Sequence, residues 1–201
     1  MSNEQQAKWD ARYSGATTAG EPSRVLSEHA HLLPAQGRAL DLACGLGANA
    51  LFLARFGLDT AGWDISPVAI DHLLATARAR ALQLDAETRD VVIRPPEPQS
   101  FDVICVSYFL DRMLTRDLIH ALRPGGLLFY QTFTRNGANS NGPINPAYRL
   151  AENELLHLFV PPLKLRAYRE DDLSGDPSLG LRGVSWLVAQ AGRHLAHGII
   201  R

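Results

Sequence analysis

The sequence predicts an α/β fold, built as a doubly wound, mostly parallel sheet of seven strands that ends in an antiparallel hairpin. Short apolar segments alternate with segments of helical periodicity over the first two thirds of the chain, which is typical of parallel strands joined by helices. The last third has two strand-like segments joined by polar, turn-forming residues, which favours a hairpin. The 201 residues are 46% hydrophobic, enough to bury one core, so we expect a single domain over residues 1–201.

The predicted strands share a nearly continuous apolar character, which suits a parallel sheet that is covered on both faces. They span residues 38–43, 58–63, about 86–92, 101–107 and 126–133. The two hairpin strands follow at 163–168 and 184–190.

The predicted helices have apolar residues three or four positions apart, with capping residues at their ends. The first carries Leu26, Ala30 and Leu33 on one face with Ser23 as its cap, and the second has Ala50, Leu53 and Ala54 before Gly57. Ser66 and Pro67 begin the third. The fourth includes Leu114, Leu118, Ala121 and Leu122, and RPGG at 123–126 ends it.

One connection has an unusual composition. Residues 93–100, IRPPEPQS, contain three prolines and cannot form an ordinary crossover helix. If the third strand lies at an edge and the fourth beside the first, these residues must span roughly 20–25 Å, close to their extended limit of about 26 Å. We therefore expect a taut, extended link.

Composition limits the partners and the location. A net charge of −1 and a pI near 6.6 provide no basic surface, so we expect no nucleic-acid partner. Cys44 and Cys105 lie in apolar segments and are interpreted as buried thiols in a reducing cytoplasm. No leader, membrane-spanning segment or metal-ligand spacing is evident, so we expect a cytoplasmic protein without membrane or metal, either a monomer or a homodimer.

The segment RALDLACGLGAN at 38–49 predicts a nucleotide-type site. It places Asp41 at the end of a short strand and Gly45 and Gly47 where a helix begins. Glycines allow close backbone approach to a ligand, and a helix start offers free N–H groups. The next strand ends at Asp64, where a ribose diol would need an acid.

These features together resemble the class I S-adenosylmethionine-dependent methyltransferases, which have a Rossmann-like fold. The chain looks most like the small tellurite-resistance-type branch of that family. The resemblance rests on WDARY at 9–13, DLACGLGANA at 41–50, GWDISPVAI at 62–70, Asp90, FDVICVSYFL at 101–110 and LRPGGLLFYQTF at 122–133.

The resemblance implies S-adenosylmethionine as the cofactor and assigns roles to its binding residues. Gly45 and Gly47 would pass beneath the methionine part, and Asp41 would anchor its ammonium group. Asp64 would bind the ribose hydroxyls, and Asp90 would accept a hydrogen bond from the adenine amino group. Ser107 and Tyr108 would lie beneath the sulfonium. The remaining implied cofactor contacts are Trp9, Arg12 and Tyr13 of an N-terminal lid (residues 1–22), together with Ala43, Asn49 and Ile65.

Two features depart from the family pattern. Ala43 stands where many relatives have glycine, and the helix before the fourth strand is missing, which removes one wall of the adenine pocket.

The acceptor side is predicted from residues that follow the fourth and fifth strands, where ligands of open α/β sheets bind. They are Tyr108, Arg112, Gln131 and Arg135, and the first, second and fourth are the catalytic candidates. The segment RNGANSNGPINP at 135–146 is expected to be a mobile loop. Tyr148, Arg149 and Glu154 are interpreted mainly as part of an amphipathic helix.

Methyl transfer needs orientation and exclusion of water more than a side-chain base, so the sequence leaves the acceptor open. It could be an oxyanion such as tellurite, a thiol, or another small acceptor. Residues 23–133 would form the cofactor-binding core and residues 134–201 the substrate loop and hairpin. An NAD(P)-dependent oxidoreductase is an alternative, because GLGANA fits G-x-G-x-x-A and Asp64 lies 19 residues after Gly45. A non-catalytic cofactor-binding subunit is another.

Overall fold

A computed structural model describes residues 3–16, 18–136, 142–176 and 178–193. The helices are α1 (Asn3–Tyr13), α2 (Arg24–Glu28), α3 (Ala48–Phe56), α4 (Pro67–Ala79), α5 (Thr115–Ala121) and α6 (Glu154–Phe159). The strands are β1 (Arg38–Leu42), β2 (Asp59–Asp64), β3 (Asp85–Thr88), β4 (Phe101–Ser107), β5 (Leu122–Phe133), β6 (Lys164–Glu170) and β7 (Val184–Gln190). Short 3₁₀ turns cover Ala30–Leu32, Arg112–Leu114 and Pro146–Tyr148.

The strands form one seven-stranded sheet in the order β3-β2-β1-β4-β5-β7-β6. The first five strands in this order pair in parallel, whereas β7 pairs antiparallel with both β5 and β6. The predicted fold class is therefore confirmed, including the C-terminal hairpin. Because the sheet order reverses direction at β1, the carboxyl ends of β1 and β4 meet at a switch point where open α/β sheets bind ligands.

Alternate residues of each central strand pack on opposite faces, which makes the sheet doubly wound. Leu40 of β1 and Ile104 of β4 belong to a core that includes Leu118 of α5 and Phe159 of α6. Ala39, Val103 and Cys105 face the other side, where the core includes Leu26 of α2 and Leu53 of α3. Such two-sided burial explains why the sequence of these strands is nearly continuously apolar.

The proline-rich link is confirmed as a crossover without a helix. Residues 93–100 lead from the edge strand β3, past β2 and β1, to β4. Arg89 holds this link by donating to the carbonyl oxygens of Arg94 at 2.8 Å and Pro95 at 2.7 Å. Its guanidinium lies 3.8 Å from the ring centroid of Trp63 in β2. One buried arginine thus fastens the link to the sheet in place of a packed helix.

Three predicted boundaries are wrong, each for a tertiary reason. The first helix is interrupted at His29, and Ser23 forms no side-chain cap. The Ser23 hydroxyl lies 3.9 Å from Cys105 Sγ of β4, and its backbone N–H donates to Asn49 of α3. Strand β3 ends at Thr88 and not near residue 92. The chain turns after the strand, and the Arg89 side chain holds the turn by donating to the carbonyl oxygen of Arg94.

Strand β5 begins at Leu122 and not at residue 126. Its pairing with β4 shifts between Phe101 and Val103, so the RPGG segment forms an irregularity within the strand. Gly125 has φ +83°, and a Cβ on Gly126 would lie 2.9 Å from the carbonyl oxygen of Arg123. The predicted stop signal is therefore wrong: α5 already ends at Ala121, and the glycines lie inside β5, where they permit the strand to bulge.

Within the described part of the chain, no helix combines the length and the apolar character needed to cross a bilayer.

We predict that Arg89→Met lowers the free energy of unfolding by about 2 kcal/mol or more, because it removes several hydrogen bonds and a cation–π contact. Urea denaturation at neutral pH measures this change. The matched control is Arg94→Met, whose side chain is 56% exposed and pairs with Glu87 at the surface, and it should cost less than about 1 kcal/mol. Equal losses in both variants would contradict the assigned role of Arg89.

Candidate active site

The parallel strands bring most of the predicted site residues to one edge of the sheet. Asp41 lies in β1 between Gly62 of β2 and Cys105 of β4. Asp64 is the last residue of β2, and Ser107, the last residue of β4, pairs with Gln131 of β5. The site is therefore built on adjacent strand ends and the loops that leave them.

Asp41 is completely buried. Its Oδ2 accepts from the backbone N–H of Ala50 at 2.9 Å, and its Oδ1 accepts from the Asn49 side chain at 3.3 Å. Burial raises the pKa of this carboxyl to about 7, although both hydrogen bonds act in the opposite direction. Asp41 is thus a group whose charge a cationic ligand would stabilise.

Asp64 is also buried, and its carboxylate organises two loops. Oδ2 accepts from the N–H of Gly45 at 2.8 Å, and Oδ1 accepts from the N–H of Ser66 at 2.9 Å. Ser66 in turn caps α4, since its Oγ accepts from Ala69 N at 3.2 Å. Burial raises the pKa of Asp64, whereas the backbone hydrogen bonds lower it.

The glycine-rich turn has backbone conformations that explain its residues. Gly45 and Gly47 have φ of +53° and +80°. A Cβ on Gly45 would lie 2.9 Å from Tyr13 Oη, and one on Gly47 would lie 2.3 Å from Leu73 of α4. Gly47 is therefore required for packing of α4, whereas Gly45 is required by the approach of Tyr13. Ala43 has φ +55°, the left-handed conformation in which glycine is favoured.

Asn49 joins three elements of the site. Its Nδ2 donates to Asp41 and, at 3.1 Å, to Ser107 Oγ at the end of β4. Its Oδ1 accepts from the N–H of Ser23, just before α2, at 2.8 Å. This predicted cofactor residue therefore holds β1, β4 and α2 in register at the switch point.

The predicted N-terminal lid residues lie on α1. The rings of Trp9 and Tyr13 stack with centroids 5.7 Å apart, and the Arg12 guanidinium lies 5.6 Å from the Trp9 ring. Asp10 Oδ1 accepts from Ser66 Oγ at 2.5 Å, which fastens α1 to the start of α4. Burial, followed by the charge of Asp64, raises the pKa of Tyr13.

Tyr108 follows β4 in a left-handed conformation with φ +56°, which is costly for a bulky side chain. Its ring centroid lies 4.8 Å from that of Phe133 at the end of β5. Its hydroxyl accepts from Gln131 Nε2 at 2.8 Å. The side chain is 49% exposed, so the ring remains accessible to a ligand.

Arg112 is held by protein groups. Its guanidinium forms a two-point ion pair with Glu154, with Nε–Oε1 at 2.6 Å and Nη2–Oε2 at 3.0 Å. It also donates to the carbonyl oxygens of Ala147 and Arg149. Arg112 therefore joins the exit of β4 to α6 and to the segment after the predicted loop.

Arg135 follows β5 and is exposed, and its Nε donates to the carbonyl oxygen of Pro146 at 3.3 Å. The pKa of Glu154 is lowered first by its bond to Arg112 and also by the charge of Arg135. Two cations thus lie near the Glu154 carboxylate, and the charge of Asp111 also acts on Arg112.

The loop predicted at 135–146 has fixed ends. Buried Arg149 donates to the carbonyl oxygens of Thr134 at 3.0 Å and Pro143 at 2.7 Å. Residues 137–141 lie outside the described part of the chain. The expected helix around Tyr148 and Arg149 is wrong: both precede α6, which contains only Glu154 of the three.

Two predicted cofactor contacts, Ile65 and Asp90, lie on neighbouring loops. Ile65 directly follows Asp64 and is half-buried. Asp90 lies beyond β3, where its Oδ1 accepts from the N–H groups of Val92 at 3.0 Å and Ile93 at 3.3 Å. Asp90 thus stabilises a turn, and its contact with adenine stays a prediction.

The electrostatics of the site favour a cation. Asp10, Asp41 and Asp64 converge on it, and Asp10 contributes to raising the pKa of Asp64. Among the described residues, no ion pair involves Asp41 or Asp64. In the same part of the chain, no group of three or more His, Cys, Asp or Glu side chains is arranged to hold a metal.

Sequence reasoning missed what several residues contribute to this site. Asp10 lies in a quoted motif, but its contact with Ser66 spans 56 positions. Ser66 was predicted at the start of α4 and Gln131 on the acceptor side, but the contacts of these residues with Asp10 and Val25 leave no signal in the sequence. Arg149, which was interpreted as part of a helix, is instead buried and holds the segment after β5.

A model of the methyltransferase domain family matches residues 39–126, which include Asp41, Gly45, Gly47 and Asp64. The ubiquinone biosynthesis O-methyltransferase of Coxiella burnetii is 29% identical over 102 residues, which are 48% of this chain and 44% of that protein. The enzyme of the same name from Xanthomonas axonopodis pv. citri is 28% identical over 186 residues, 87% of this chain and 76% of that protein. The chain thus spans about half the length of the first of these curated relatives.

Solved structures share the fold. TehB from Haemophilus influenzae superposes with a TM-score of 0.69 at 20% identity, over 93% of this chain and 67% of that one. A SAM-dependent methyltransferase from Methanosarcina mazei gives a TM-score of 0.67 at 19% identity, over 87% of this chain and all of the other. At these identities the likeness shows the fold alone, a Rossmann-like methyltransferase fold.

We predict that Asp41→Asn stabilises the ligand-free protein more at pH 8 than at pH 5. A carboxyl with a folded pKa near 7 and a lower unfolded pKa binds more protons when folded, so its contribution to stability falls as pH rises through that interval. The neutral amide avoids this cost. Thermal unfolding of both proteins between pH 5 and pH 8 measures the difference.

The control for this comparison is Asp59→Asn. Asp59 is exposed and is the first residue of β2, at the other end of that strand from Asp64. A stabilisation by Asp41→Asn that does not grow with pH would contradict the assigned burial of a charge.

Proposed function

We propose that this chain is an S-adenosylmethionine-dependent methyltransferase that acts on a small-molecule acceptor. The observation that carries this proposal is the pair of buried carboxylates, Asp41 and Asp64, which lie at adjacent strand ends and form no ion pair among the described residues. The cofactor carries an ammonium and a sulfonium, and both are cations. The matching domain family and the methyltransferase relatives support the same reaction and cofactor.

We assign the described residues to the parts of the cofactor as follows. Asp41 would hold the ammonium group, Asp64 the ribose hydroxyls, and Ile65 and Asp90 would border the base. The left-handed turn at Gly45 and Gly47, with Ala43 before it, would pass beneath the methionine part. Ser107 and Tyr108 would border the reactive centre, and Trp9, Arg12 and Tyr13 of α1 would cover it from the N-terminal side. When bound, the cofactor supplies a methyl group that is already activated on sulfur.

The residues of the chain therefore need only to bind, orient and exclude water. Asn49 fixes the positions of Asp41 and Ser107, so cofactor and acceptor sides share one rigid support. The Asp10–Ser66 contact brings α1 across the start of α4, which restricts access of water to Asp64. No side-chain base is required if the acceptor arrives ionised.

The acceptors that we propose are small and ionisable: an oxyanion such as tellurite, a thiol, or a phenol. The name of the curated relatives, O-methyltransferase, supports oxygen as one acceptor atom. The exposed charge of Arg135 would attract an anion, whereas Arg112 is paired with Glu154. We assign Arg135 to acceptor attraction and Arg112 to fixing the β4 exit.

An oxidoreductase with a dinucleotide cofactor receives no support from the comparisons. It also conflicts with the site, because two buried carboxylates beside the glycine turn would repel a pyrophosphate.

We predict that the protein binds S-adenosylmethionine or its demethylated product with micromolar affinity and that Asp64→Ala weakens this binding by about 1.5–3 kcal/mol or more. The variant loses hydrogen bonds to a charged group and also the support of Gly45 and Ser66. Isothermal titration measures the affinity, and Asp59→Ala at the other end of β2 is the control. Tight NADH binding without S-adenosyl binding would refute the proposal, and an unchanged affinity in Asp64→Ala would leave Asp64 as a loop-organising residue.

We predict that Arg135→Gln and Arg112→Gln differ in their effects. Arg135→Gln should raise KM for anionic acceptors several-fold and leave thermal stability unchanged, since it removes an exposed charge. Arg112→Gln should lower the melting temperature, because it breaks a partly buried two-point ion pair with Glu154. Methyl transfer to tellurite, a thiol and a phenol, compared with tRNA and protein acceptors, provides the assay. Methylation of macromolecules alone would contradict a small acceptor.

A further inference from the structure

The orientation of the Gln131 side chain is determined by its buried surroundings. Gln131 is 1% exposed, and its amide lies between the backbone N–H of Val25 in α2 and the hydroxyl of Tyr108. A backbone N–H can only donate, so the atom facing Val25 at 3.1 Å is the amide oxygen. The amide nitrogen must therefore face Tyr108.

This orientation decides the role of the Tyr108 hydroxyl. The amide nitrogen carries only donor hydrogens, so Tyr108 Oη accepts at 2.8 Å. Its own hydrogen must then point elsewhere, and no described residue accepts it in a hydrogen bond found in the structure. The Tyr108 backbone N–H also donates to the Gln131 carbonyl oxygen at 2.8 Å, so the two residues are joined at both backbone and side chain.

The position of Tyr108 makes this free hydrogen useful. Tyr108 directly follows Ser107, which is tied through Asn49 to Asp41. Its strained backbone, with φ +56°, is held by the contacts with Gln131 and by the tilted ring of Phe133 at 4.8 Å. Local strain that the surroundings maintain is typical of a functional residue. Since half of the side chain is exposed, a ligand can reach it.

We infer that Gln131 is a positioning residue that directs the Tyr108 hydroxyl hydrogen to the methyl acceptor, and that this donor selects acceptors with an ionised oxygen or sulfur over neutral nitrogen. This inference rests on the proposed function. The ionised acceptor supplies the electron pair for its new bond to the methyl carbon. The pair of the broken carbon–sulfur bond stays on the cofactor sulfur, and no proton is removed in the step.

Gln131→Glu reverses the polarity of the contact without changing its shape. A carboxylate still accepts from Val25, but it also accepts the Tyr108 hydrogen and withdraws it from the acceptor. The experiment compares Gln131→Glu, Tyr108→Phe and the double variant, with tellurite, thiophenol and 3,4-dihydroxybenzoate as ionisable probes and aniline as the neutral probe. Cofactor affinity and melting temperature are measured for each protein.

We expect Tyr108→Phe to raise KM for the ionisable acceptor that is methylated by roughly tenfold, with kcat changed less than threefold, as for loss of one hydrogen bond to a charged group. Gln131→Glu should have a similar effect at pH 8.5 and a smaller one at pH 6, where a protonated carboxyl can again donate to Tyr108. In the Tyr108→Phe background, Gln131→Glu should cause no further increase in KM. Cofactor affinity should stay within threefold in Gln131→Glu, because the Gln131 side chain contacts Val25 and Tyr108 and is assigned to no part of the cofactor.

The inference is overturned if Gln131→Glu acts equally with and without the Tyr108 hydroxyl, if its effect tracks only the melting temperature, or if aniline is the preferred acceptor. It is also overturned if the wild type binds the cofactor but methylates no ionisable probe. Failure to bind an S-adenosyl ligand would instead refute the proposed function, so the two failures are distinguishable.

Discussion

The burial of two carboxylates at adjacent strand ends is the constraint on which the rest of this site depends. Asp41 and Asp64 cannot stay charged in an apolar interior unless N–H groups or a cation compensate them. The backbone supplies part of that compensation from Ala50, Gly45 and Ser66. The need to solvate these two carboxylates therefore explains where the helix starts and the glycine turn lie. A cationic ligand would supply the rest of the compensating charge, which makes this edge of the sheet a binding site.

The acceptor side is built on a second set of buried polar groups. Asn49 and Gln131 each accept from a backbone N–H at the start of α2 and each donate to a residue at the end of β4. Their amides act as fixed spacers, since each has a donor end and an acceptor end that cannot be exchanged without leaving a buried group unpaired. Helix α2 thus stabilises the site although it contributes no predicted ligand contact.

Two arginines replace structure that is missing or interrupted. Arg89 fastens a crossover that has no helix, and Arg149 fastens both ends of the segment after β5. In both cases a planar group with several donors satisfies carbonyl oxygens that no helix or strand partner can reach. Both segments without regular secondary structure, the crossover and the segment after β5, are therefore fixed by side-chain hydrogen bonds to their backbone.

The sequence by itself predicted the seven-stranded sheet, the helix-free link over 93–100, the C-terminal hairpin and the positions of Asp41, Gly45 and Asp64 at strand ends. These features depend on local patterning, and apolar runs, prolines and glycines act over a few residues. Most of the predicted site residues do gather at one edge, because parallel strands place their carboxyl ends together.

Only the tertiary structure decided what the polar side chains do. It divided the first helix at His29, moved the end of β3 to Thr88, and paired Arg112 with Glu154, 42 positions away. It also joined Asp10 to Ser66 and Gln131 to Val25. Hydrogen bonds between such distant residues leave no periodic signal in the sequence, since each depends on the direction of a side chain and on the folded position of its partner.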